Sequence, residues 1–216
     1  MRTGIAVAGA CVLGFASLHA GDAELSVRVR LTVAGDVPTA VRMALVGEAS
    51  TIWQRAGVRL VWAPPTGAAA PGLRVLVVHR PAPAPEGEWP VGELVMATAQ
   101  TPGGTVPVPI AFVSIESSWQ ILATANLPPE PQKLTHRRLG VVLGRAVAHE
   151  IGHYLLATPT HAASGLMRAR IAAADFADLR EGGFFLDRRA SRWLLDDAGL
   201  AGARPHASTG FHYTPR

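Results

Sequence analysis

The segment His149-Glu150-Ile151-Gly152-His153, with His161 and Met167 downstream, constrains this chain more than any other feature. Residues four apart on an α-helix stack on one face, so a helix over 149–153 lets both imidazoles aim a ring nitrogen at one point. Glu150 lies one residue round from His149 and projects to the side of that point. Leu139, Val141, Val142, Leu143, Ala146 and Val147 make the preceding turns apolar enough to bury the helix. Pro159 ends it, because proline cannot continue a helix. The chain must then turn back if His161 is to reach its partners.

Three imidazoles match the protein ligands of one catalytic Zn2+ ion, with a fourth coordination position left open. The expected metal ligands are therefore His149, His153 and His161. Water at the open position would be acidified to a pKa of about 7, and Glu150 is the expected general base acting on it. A downstream carboxylate (Asp175, Asp178 or Glu181) is the rival third ligand. The segment 175–181 reads as a solvated helical turn whose acids have arginine neighbours, and that rival leaves Met167 without a role. His79 and His136 read as strand-end and helix-start residues, and His206 and His212 fall in the tail.

These residues resemble the metzincin clan of zinc peptidases, whose HExxHxxGxxH signature is followed by a Met-turn. The resemblance rests on His149, Glu150, His153, His161 and Met167, the last in Ser164-Gly165-Leu166-Met167. The chain departs from the signature where Leu156 replaces the turning glycine and His161 comes two residues late. A longer helix end, broken by Pro159, with a shorter link to the methionine, accommodates both departures. The resemblance implies that Met167 forms an apolar floor under the metal. It also implies an α+β fold: a mixed twisted sheet of four to five strands, a backing helix, a long active-site helix, the Met-turn and a C-terminal helix. The implied activity is hydrolysis of peptide bonds in a peptide or protein substrate, held in extended form along strand residues near Leu94 and Thr98. Some clan members place a tyrosine soon after the methionine. Arg168 and Arg170 stand there instead, so no catalytic tyrosine is assigned, and Tyr154 is expected to pack. The alternatives are a zinc hydrolase of a cell-wall amide and an idle secreted zinc-binding protein; the presence of Glu150 argues against the latter.

The upstream pattern supports the same architecture. Leu25, Val27, Val29, Leu31 and Val33 alternate with polar residues, the two-residue period of a half-buried strand. Val41, Leu45, Ala49, Ile52, Trp53 and Ala56 form a helical stripe over 38–56, closed by Gly57. Strands are expected over 58–62, 73–79 (buried on both faces), 94–98 and 110–115, before a motif helix over 135–157. A closing helix is expected over 187–199.

Residues 1–20 read as a signal peptide: Arg2, an apolar run, then small residues near Ala20. The only cysteine, Cys11, falls within it, so disulfides cannot staple the expected catalytic domain over 22–200. Residues 201–216 are expected to be a loose tail. The formal net charge of +4 comes from scattered arginines, which reads as a solvated surface without a nucleic-acid footprint. The expectation is a secreted or periplasmic bacterial monomer, without membrane association after signal cleavage.

Overall fold

The alternation at the start of the described chain produces β1 (Leu25–Val33), whose Val27 and Val29 point into the core while Ser26 and Arg28 point out. The computed structural model describes residues 25–63, 72–79, 91–101, 104–180, 182–187, 190–192 and 194. The expected signal peptide, the tail and most of the expected closing helix lie outside these residues.

Helix α1 (Thr39–Arg55) follows, burying Val41, Leu45, Ala49, Ile52 and Trp53 along the expected stripe. Gly57, at φ +79°, turns the chain into β2 (Val58–Ala63), which pairs parallel with β1. Strand β3 (Leu73–Val78) pairs parallel with the other side of β1. Then β4 (Gly92–Thr101) and β5 (Gly104–Ser114) form an antiparallel hairpin, with β5 parallel to β3. The sheet order is β2-β1-β3-β5-β4, so among the described strands β4 lies at an edge and is the only antiparallel one.

One face of this mixed five-stranded sheet packs against α1 and the long helix α3 (Gln132–Leu155). Strand β3 was expected to be buried on both faces. Instead Leu73, Val75 and Val77 are buried while Arg74, Leu76 and Val78 are half-buried. The helices cover only the first set, which explains the alternation.

Two short helices complete the described fold. Helix α2 (Ile115–Thr124) was not foreseen from the sequence; Ser114 caps it by accepting from the Ser117 N–H at 3.1 Å. Helix α4 (Ala173–Ala177) begins earlier than the expected solvated turn and buries Phe176 and Ala177. Near 187, Asp187 Oδ1 accepts from the Ala190 N–H and Leu194 is buried. Among the described residues, no helix is long and apolar enough to cross a membrane.

The contact between α1 and α3 is close because α3 presents glycines to it. A Cβ at Gly140 would strike Ala44 and the Val41 carbonyl; one at Gly144 would come within 2.7 Å of the Leu45 carbonyl oxygen. Trp53 then donates its indole N–H to the Ala148 carbonyl at 3.1 Å, one residue before His149. Helix α1 therefore fixes the axial position of the motif.

Candidate metal centre

His149 and His153 lie one turn apart in the last third of α3, as the four-residue spacing requires. Beyond the C-cap residue Leu156, the chain leaves the helix at Ala157, whose φ is +48°. The sharp turn occurs one residue after the position where the resemblance would place glycine, and an alanine adopts the left-handed conformation to make it. The loop then runs through Thr158-Pro159-Thr160 and brings His161 back beside the helix.

A second turn holds that loop in place. The Ala162 N–H donates to the Met167 carbonyl at 2.7 Å, and Ala162 bridges to Arg168. Gly165 sits at φ +74° with no room for a Cβ beside the Phe185 carbonyl, and the Leu166 N–H donates to that carbonyl at 2.7 Å. Closing 162–168 in this way places His161 next to the motif helix and swings Met167 beneath it. The side chain of Met167 is buried against Gly152.

The three histidines converge. Each offers one ring nitrogen, and these atoms lie within 4.8 Å of one another, an arrangement that can hold a metal ion. The His149 and His161 rings stack at 5.3 Å, while His153 stands edge-on to both.

Hydrogen bonds fix the tautomers of two of them. His149 Nδ1 lies 2.8 Å from the Leu166 carbonyl oxygen, and His153 Nδ1 lies 2.8 Å from that of Thr158. A carbonyl oxygen can only accept, so each Nδ1 carries a proton and each neutral ring keeps a lone pair on Nε2. Those two Nε2 atoms are 3.0 Å apart. With neither carrying a proton, they cannot bond each other. Their separation is near the roughly 3.3 Å that tetrahedral ligands at about 2.0–2.1 Å from one ion would show. A backbone carbonyl orienting the second ring nitrogen is also the usual support for a metal-binding histidine.

Electrostatics point the same way. Burial, partly offset by the Leu166 carbonyl, lowers the pKa of His149 to about 4. Burial likewise lowers His153 and His161. All three rings are neutral near pH 7, the form that ligates. Glu150 is buried alongside them, and desolvation, with a smaller contribution from the Glu93 charge, raises its pKa to about 8. Strand β4 passes close to it: a Cβ at Gly92 would come within 2.6 Å of Glu150 Oε1.

The other candidates lie elsewhere. Neither Asp175 nor Asp178 joins the histidine cluster; Asp175 is exposed, and Asp178 pairs with Arg180 at 2.7 Å. Glu181, His206 and His212 are outside the described residues. His79 follows directly on β3 and bridges Asp36 and Glu116, and His136 lies in the first turns of α3. Tyr154 is half-buried against the core.

Sequence reasoning passed over Arg145, whose side chain is 1% exposed. It donates to Glu48 at 2.7 Å, to the Asp175 and Phe176 carbonyls, and to the Arg180 carbonyl, and it lies 4.3 Å over the Phe184 ring. One guanidinium thus ties α3 to α1 and to the chain beyond the Met167 turn. Its signal was present: a single cation within the apolar run 139–148 needs buried partners. Compared with models of known protein families, with curated proteins and with solved structures, the chain gives no match.

Proposed function

We propose that this chain is a secreted zinc-dependent peptidase of metzincin type, with His149, His153 and His161 as ligands. The observation that carries this reading is the tautomer pattern: two histidines commit Nδ1 to carbonyls, and their lone pairs face one point that His161 also reaches. Neutral imidazole donors in this number suit zinc with an open position. When bound, the ion would supply Lewis acidity to a carbonyl oxygen, acidify water and oppose the rise in the Glu150 pKa.

The chain's own groups supply the rest. Glu150 is the proposed general base: it takes the proton from the attacking water and passes it to the departing amine. Its side chain is buried beside β4, at Gly92. Met167 would form the floor beneath the histidines, with Gly152 making room for its sulfur. The edge strand β4 would bind an extended substrate by strand addition, using backbone hydrogen bonds on the side away from β5.

The test is hydrolysis of a mixed-sequence quenched peptide library by the zinc-loaded protein, with Glu150→Gln alongside. Cleavage that chelation abolishes and that falls at least about a hundredfold in the variant supports the reading. Cleavage unchanged in Glu150→Gln would remove Glu150 from its role. A folded, zinc-loaded protein that cleaves no peptide would exclude peptidase activity and direct attention to non-peptide amides.

A further inference from the structure

The two edges of the β4–β5 hairpin are built differently. Strand β3 flanks β5 only from Ile110 to Ser114, whereas β4 pairs with β5 as far as Thr101 and Gly104. From Met96 and Pro109 outward, the hairpin is therefore a two-stranded ribbon among the described strands. The Ser114 N–H donates to the Val91 carbonyl at 2.9 Å, and this bond sets the parity of the antiparallel ladder. Counting in twos along the register, Glu93, Val95 and Ala97 turn their backbone groups toward β5, opposite Phe112, Ile110 and Val108. Leu94, Met96 and Thr98 then turn theirs to the free edge of β4. On β5, the positions turned away from β4 include Pro107 and Pro109, which have no N–H to offer. Prolines and cations are common means of closing an edge to further strands. One edge of the ribbon is closed in this way, yet β4 contains no proline, lysine or arginine.

We propose that β4 reads a polypeptide substrate by a two-residue rule. Substrate residues facing Leu94 and Met96 must carry an amide N–H and an apolar side chain, and the residue between them is free of both demands. The identity of the occupant rests on the peptidase reading above. Donors and acceptors repeating about every 7 Å match an extended polypeptide backbone. In antiparallel addition, the residues that bond Leu94 and Met96 lie directly opposite them and share their face of the sheet. That face is the one toward α3, because a Cβ at Gly92, of the same parity, would strike the Glu150 carboxyl. Leu94 is half-buried against the core and Met96 is 42% exposed, so an apolar side chain placed beside them covers apolar surface. The intervening substrate residue turns its N–H away from β4, so proline is tolerated there. Gly92 to Thr98 spans about 20 Å, so the run that is read starts beside Glu150 and continues onto the ribbon.

The test is binding of a fluorescein-labelled decapeptide of alternating leucine and serine to zinc-loaded Glu150→Gln, followed by fluorescence anisotropy. N-methylation of the leucines removes the donors that β4 uses and should weaken binding at least about tenfold. N-methylation of the serines should weaken it less than about threefold. Met96→Pro removes an N–H that the sheet itself does not use. This variant should melt near the wild type yet bind the decapeptide at least about tenfold more weakly. Equal losses from the two methylations, a larger loss at the serines, or no binding by the folded protein overturns the proposal. A concentration-dependent dimer that Met96→Pro dissolves overturns it as well, because a second copy would then be the occupant. The expected binding pattern without any cleavage by the wild type would sustain the docking rule and remove only the peptidase reading.

Discussion

The sulfur of Met167 occupies the space that a side chain at Gly152 would need. Gly152 is the residue just before His153, so this contact couples the turn at 164–167 to the histidine pair. Gly152→Ala is expected to cost about 1–3 kcal/mol in stability by forcing the thioether aside. It should also weaken zinc binding, since Leu166, which orients His149, moves with the same turn. Pairing it with Met167→Ala should recover part of the loss. Chemical denaturation of the two single variants and the double would measure this coupling, and strictly additive costs would show that the residues do not act on each other.

Strand β4 limits Glu150 in a comparable way. Gly92→Ala brings a methyl group against the Glu150 carboxyl and should displace it without touching the histidines. A displacement near 1 Å is enough to lower turnover about a hundredfold. Zinc affinity should be unchanged. Parallel measurement of kcat and zinc Kd distinguishes the two effects, and a fall in zinc affinity would mean that Gly92 supports the whole centre rather than Glu150.

Arg145 is expected to matter for stability more than its distance from the histidines suggests. Arg145→Met keeps much of the volume but leaves Glu48 and three carbonyls without their donor. Breaking a buried pair in this way costs about 3–5 kcal/mol. Urea denaturation would detect a loss of that size. A cost below about 1 kcal/mol would mean that water replaces the guanidinium easily.

The ion pairs around His79 make stability depend on pH. Hydrogen bonds to Asp36, at 2.9 Å, and to Glu116, at 2.6 Å, raise the His79 pKa above 6.5. That contribution is fully present below 6.5 and is lost as pH rises through the folded-state value. The hydrogen bond to His79 also lowers the Asp36 pKa below 3.8, so its share is present above 3.8 and disappears as pH falls through the folded value. The groups are exposed, so the effect is small. The melting-temperature difference between wild type and His79→Gln should be largest near about pH 5–6 and shrink above neutrality. A difference constant with pH would assign it to packing.

The sequence by itself determined most of the described strands and helices and the histidine spacing on α3. The two-residue period of 25–33, the stripe of α1 and the four-residue spacing of His149 and His153 are local patterns, and local geometry converts them directly into structure. Helix α2 escaped because its short apolar set, Ile115 and Ile121, follows a strand without a break. What brings His161 to the cluster is not local: the left-handed turn at Ala157 and the Ala162–Met167 closure depend on a chain path that no motif encodes. The carbonyls of Leu166 and Thr158 that set the ring tautomers, the fit of Met167 against Gly152 and the partners of Arg145 likewise exist only once α3 is packed. The pairing of Arg30 directly opposite Arg74 is the plainest case. Side-chain direction along each strand follows from sequence parity, but strand order and register decide which cations become neighbours, and those are fixed by the burial of the opposite face.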